Sequence, residues 1–212
     1  GHLRLLLAGD AEGSTSDQRR LMKTVEEYCS RLDQFMADLI DVCHAGAMDA
    51  ALDLRPRSLA LVVEEARRIL EPILLQNGIQ LQVHIPLESV QVRFDETRIR
   101  HVFTNLMTNA IAVTEPGGVI RIECLPVDSP AGFLVECRVI DQGPGVASAE
   151  RQRIFEPFER GSSSTTAEGR GIGLALCRRI VEAHGGSIWV SDGVEKGSLF
   201  TFTLSACSSA GE

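Results

Sequence analysis

The sequence has no uninterrupted apolar run of the ~18 to 20 residues that a membrane span requires. Its Leu5-Leu6-Leu7 stretch is too short for the core of a secretory signal. There is no block of Lys or Arg: 21 basic residues stand against 29 acidic ones, a formal net charge of -8. That balance argues against non-specific binding to nucleic acid or to an anionic membrane. The cysteines, Cys29, Cys43, Cys124, Cys137, Cys177 and Cys207, include no C-x-x-C pair and no neighbouring His cluster. They read as reduced packing residues of a soluble, cytoplasmic protein rather than as a zinc site or disulfide framework. Internal repeats and long low-complexity tracts are also missing. With 212 residues, the chain has room for one sizeable core plus an appendage.

The appendage is N-terminal. Leu21, Val25, Tyr28, Leu32, Phe35, Leu39 and Val42 alternate spacings of four and three, a heptad seam. Thr15 and Gln18 form a capping-box pattern at its start and Gly46 a stop. Charged residues such as Glu26, Arg31 and Asp38 flank the seam, which suits a partner helix from a second copy of the chain.

After a connector, a strand near Leu52 to Arg55 leads to a helix beginning after Ser58 and ending at Asn77-Gly78. Ile79 to Ile85 and Val90 to Phe94 read as strands joined by a turn at Pro86. Asp95 caps a helix running to about Thr114. Val119 to Leu125 and Phe133 to Ile140 read as paired strands, Ile172 to Ala183 as a helix, and Ser187 to Val190 and Ser198 to Leu204 as two more strands. Helices set against mostly hairpin-linked strands predict an α+β, two-layer sandwich.

Four motifs occur in a fixed order: Asn105-x-x-x-Asn109, Asp141-x-Gly143-x-Gly145, Phe155-x-x-Phe158 and Gly169-x-Gly171-x-Gly173. Each alone is a weak signal, since a pair of helix asparagines or an Asp-x-Gly turn is common. Their chemistry converges on a nucleotide. Asn105 and Asn109 share one helix face, where a neutral amide oxygen can complete the shell of a Mg²⁺ ion. Asp141 ends an apolar strand, where a carboxylate requires a donor such as the exocyclic amine of adenine. Gly169 to Gly173 precedes a helix whose free N–H groups can bind an anion, with Arg160 and Arg170 adding positive charge.

In this order the motifs resemble the nucleotide-binding domain of sensor histidine kinases, within the ATPase superfamily that includes gyrase and the large heat-shock chaperones. The resemblance implies a Bergerat-type sandwich at residues 51–207, preceded at 1–50 by part of a dimerisation hairpin and followed by a tail at 208–212. It makes Asn109 the Mg²⁺ ligand, Asn105 the catalytic neighbour at the phosphates, and Asp141, Gly143 and Gly145 the adenine site, with the glycines letting the backbone approach the ring. Phe158 and Phe155 pack the root of a flexible lid. Arg160, Gly169, Arg170, Gly171, Ile172, Gly173 and Leu174 surround the phosphates. Implied partners are a response-regulator receiver domain and a second copy of the chain, with no nucleic acid and no membrane contact by this part.

Two positions depart from the pattern: Ala112 stands where a phosphate-binding lysine is common and Val113 where an aromatic stacks on the base. Each loss weakens nucleotide binding by ~1 kcal/mol or more. The phosphoacceptor histidine of such kinases has no match among His2, His44, His84, His101 and His184. The related hydrolases have a glutamate where Asn105 lies, and an amide cannot deprotonate water, so ATP hydrolysis is expected to be slow. A non-catalytic scaffold with a degenerate ATP site is the alternative, and a serine kinase of the same superfamily a further one.

Overall fold

Helices in the computed structural model start and stop at residues whose side chain or backbone can end them. The structure describes residues 25, 52–87, 90–129, 132–159, 171–193 and 196–208. The chain divides into two units, Gly1–Cys43 and His44–Glu212. In the first, only Val25 is described: it is helical and 40% exposed. The rest of the heptad segment and its cap lie outside the described residues.

In the second unit, helix α1 (Leu59–Gln76) begins at Ser58, whose hydroxyl accepts from the Leu61 N–H, and ends at Asn77. Its buried positions are Leu59, Val62, Val63, Ala66, Leu70 and Leu74, while Ile69 and Ile73 lie outside that stripe and are exposed. Helix α2 (Glu96–Val113) is capped by Asp95, which accepts from the Arg98 N–H. Helix α3 (Gly173–Ala183) ends at His184 and Gly185. Among the described residues no helix is long and apolar enough to cross a membrane.

Seven strands form one sheet: β1 (Arg55–Arg57), β2 (Gln80–His84), β3 (Val90–Phe94), β4 (Val119–Ser129), β5 (Gly132–Ile140), β6 (Ile188–Asp192) and β7 (Ser198–Ser208). Their order is β1-β3-β7-β5-β4-β2, with β6 also paired to β7. The two strands on either side of Pro86 do not pair with each other. β2 pairs in parallel with β4 on one side of the sheet, while β3 pairs with β1 and β7 on the other. The connection from β2 to β3 is therefore a crossover, since a turn residue marks a change of direction without choosing the partner. The apolar faces of α2 and the sheet meet in a core that includes Phe103, Leu106, Met107, Ile120, Ile122 and Phe202. The Phe103 and Phe202 rings pack edge-to-face with centroids 5.2 Å apart.

His184 ties the helices that frame the cleft. Its Nδ1–H donates to the Ile180 carbonyl at 2.7 Å, and Nε2 accepts from the Asp95 N–H at 3.0 Å, which defines the neutral tautomer. Burial, opposed by the Ile180 carbonyl and the Asp95 charge, lowers its pKa below 6.5. Protonation at Nε2 would remove the acceptor that the Asp95 amide needs. Because the folded-state pKa is the lower one, the contribution of His184 to stability is complete above pH 6.5 and falls as the pH drops towards the folded-state value. His184→Ala is expected to cost about 1–3 kcal/mol and to flatten that part of the stability profile, as measured by denaturant unfolding between pH 5 and about 7.5.

Candidate functional site

One face of α2 runs the length of the site. Asn105, Asn109 and Val113 are successive fourth residues, so their side chains stack along the same face. Asn105 meets the start of α3, because a β-carbon built on Gly173 would lie 3.4 Å from its Oδ1. Its Nδ2 is buried without a hydrogen-bond partner. An orphaned buried donor of this kind costs about 1–3 kcal/mol unless a ligand oxygen reaches it. Asn109, one turn further along, is half-buried.

At the far end of the face lies Asp141, 1% exposed at the end of β5. Its Oδ1 accepts from the Gly143 N–H at 2.8 Å and the Ser198 N–H at 3.1 Å, and the Ser198 hydroxyl adds a further hydrogen bond. Desolvation nevertheless raises the carboxyl pKa above 3.8, and the three hydrogen bonds offset this only in part. A buried carboxylate held by amides, with no salt bridge among the described residues, is well disposed to accept from an uncharged donor.

Opposite, α3 starts at Ile172 with no side-chain cap, so the N–H groups of its first turn and the positive end of its dipole are available to an anion. Gly171 and Phe158 are stitched together: the Phe158 N–H donates to the Gly171 carbonyl at 2.8 Å. A β-carbon on Gly171 would stand 2.6 Å from the Glu159 carbonyl oxygen. Residues 158–159 and 171 are thus neighbours in space. Leu174 lies in the first turn of α3, half-buried. Arg160, Gly169 and Arg170 lie outside the described residues.

Two local readings change. Phe155 is buried and packs edge-on against Phe200 at 6.4 Å, but Phe158 is 64% exposed and packs no core. Its φ of 67° places it in the left-handed region, uncommon for a residue other than glycine. At Gly143, the atoms that forbid a β-carbon belong to the protein itself: it would fall 2.6 Å from Val113 Cγ2. Gly145, with φ of 82°, faces the Gly197 carbonyl at 3.3 Å from where its β-carbon would be. Ser198, absent from the candidate site residues, holds Asp141 directly. The signal was its place beside Gly197 at the start of a strand, and only strand order shows that this strand adjoins β5.

Among the described residues no group of three or more His, Cys, Asp or Glu could hold a metal ion. A Mg²⁺ ion with phosphate and water ligands needs no such cage, and the amides of α2 fit that donor set.

Residues 94–207 match the family of histidine kinase-, DNA gyrase B- and HSP90-like ATPases. The adaptive-response sensory kinase SasA of Synechococcus sp. (strain JA-3-3Ab) is 36% identical over 187 residues, covering 88% of this chain and 49% of that protein. The chain thus spans about half the length of the curated relatives it matches. Full-length ShkA in complex with AMPPNP superposes with a TM-score of 0.78 at 27% identity, covering 99% of this chain and 42% of that one. The Acinetobacter baumannii histidine kinase AdeS gives a TM-score of 0.71 at 25% identity, covering 96% and 93%. The chain therefore belongs to the histidine kinase-, DNA gyrase B- and HSP90-like ATPase family, and within it to the sensor histidine kinases.

Proposed function

We propose that this chain is the ATP-binding catalytic part of a two-component sensor kinase, which presents the γ-phosphate of ATP to a histidine outside the chain for relay to a receiver-domain aspartate. The observation that carries the reading is the buried Asp141 carboxylate, held by amides at one end of a helix face whose other end reaches the uncapped start of α3. Asp141 accepts from the adenine amine. Asn105 donates its unpartnered Nδ2 to a phosphate oxygen, and the first-turn amides of α3 hold the phosphates. Asn109 is the protein ligand of Mg²⁺, which when bound neutralises triphosphate charge. Transfer of this kind depends on positioning and charge neutralisation more than on a strong base, which agrees with an amide at position 105. Residues 1–50 serve as the dimerisation part, joining two copies of the chain.

Calorimetric titration with a non-hydrolysable ATP analogue, with and without Mg²⁺, tests this. Wild-type binding should tighten on adding Mg²⁺, and Asn109→Ala should remove about tenfold of that gain while leaving the metal-free affinity within about twofold. Equal Mg²⁺ dependence in both proteins would remove Asn109 from the metal site. The second reading, a non-catalytic scaffold, is motivated by Ala112 and Val113, which offer neither cation nor ring; failure of the folded chain to bind nucleotide at all would favour it.

A further inference from the structure

Val113 is the last residue of α2, half-buried, and its side chain rests on Gly143. A β-carbon on Gly143 would lie 2.6 Å from Val113 Cγ2 and 2.8 Å from Val113 Cβ, so this contact is tight enough to exclude a single methyl group. Gly143 is also the residue whose N–H fixes Asp141 Oδ1 at 2.8 Å. The rest of the turn is anchored elsewhere. Ser198 holds Asp141, and the Gln142 side-chain oxygen accepts from the Val119 N–H at 2.9 Å. Val113 is thus the side chain that bears on Gly143, and through it on the direction in which the carboxylate is held.

We propose that Val113 is a positioning residue for base recognition: by packing on Gly143 it aims the Asp141 carboxylate, and so sets how sharply the site separates a purine carrying a 6-amino group from one without it. The inference rests on the ATP reading above. It concerns an aliphatic contact within the protein, and it makes the departure at position 113 a functional feature of this chain. An α2 face that carries the amides at 105 and 109 then also governs the base end of the same site.

The test compares ATP with purine riboside triphosphate, which has hydrogen in place of the amine, by calorimetry on the full chain. Wild type should prefer ATP by about 10- to 100-fold, the value of a hydrogen bond to a charged acceptor. In Val113→Ala the preference should shrink to within about threefold, because the affinity for ATP falls while that for the deaminated analogue holds within about twofold. Val113→Thr, of nearly the same shape, should keep the wild-type preference, and thermal melts should show both variants folded. Val113→Ser, another truncation, serves if Val113→Ala fails to fold. An unchanged preference in the truncated variant overturns the proposal, as does an equal loss for both nucleotides, which would make Val113 a direct contact of the base. Wild type that binds both nucleotides alike would overturn the role of Asp141 as well, and wild type that binds neither would overturn the ATP reading itself.

Discussion

Asp141→Asn is expected to weaken ATP binding by about 10- to 100-fold and, in the absence of nucleotide, to leave the fold as stable as wild type or more so. The loss follows from exchanging a charged acceptor for an amide that can present an N–H to the adenine amine; hydrogen bonds to charged groups are worth about 1.5–3 kcal/mol. The gain follows from the direction of the pKa shift. Burial raises the folded-state value above 3.8, so the folded chain holds this proton more tightly than the unfolded chain does. The group's contribution to stability is greatest below pH 3.8 and is lost as the pH rises through the folded-state pKa. At neutral pH the ionised carboxylate is therefore a cost to the empty fold, which asparagine removes while its Oδ1 can still accept from Gly143 and Ser198. Thermal unfolding without nucleotide, paired with ATP titration, checks both halves. A variant that lost stability at pH 7 and bound ATP normally would sink this account.

A second large effect is expected at Gly197. This residue has φ of 89°, and an added β-carbon would overlap the Asp141 carbonyl oxygen and stand 2.9 Å from its Oδ1. Gly197→Ala must then push β7 away from the end of β5, breaking the mutual hydrogen bonds of Asp141 and Ser198. Left-handed backbone alone costs a non-glycine residue about 1–2 kcal/mol, and the overlap adds to it. We expect a loss of about 3 kcal/mol or more, a melting temperature lower by roughly 6–12 °C, and an ATP affinity reduced at least tenfold even where the chain remains folded. Gly193→Ala, in the same hairpin, provides a comparison, because its β-carbon would meet the Lys196 carbonyl and not the carboxylate. It should lower stability with little change in affinity.

The helices were legible because their signals are local. Ser58, Asp95, Asn77 and the His184-Gly185 stop are each decided by hydrogen bonds within a turn or two, and all were readable in the chain. The apolar strands were equally plain, and so was the family, since four motifs stand in its order. Site residues four apart on α2 needed only helical geometry to be placed together.

What the chain did not disclose depends on partners distant in sequence. Pro86 marks a break without saying that β2 and β3 go to opposite sides of the sheet, a pairing that joins segments distant in sequence. Phe158 is chemically the same as Phe155, yet one is exposed and the other buried against Phe200. Gly143 is glycine in a motif that the sequence can show, but the neighbour that excludes a β-carbon is Val113, thirty residues earlier. Sequence by itself determined the helices of the second unit and the fold class, because these follow from local hydrogen bonding and apolar period. Only tertiary structure decided how Asp141 is held, through β7 on one side and α2 on the other, because that rests on contacts between segments that meet only when the sheet and helices pack.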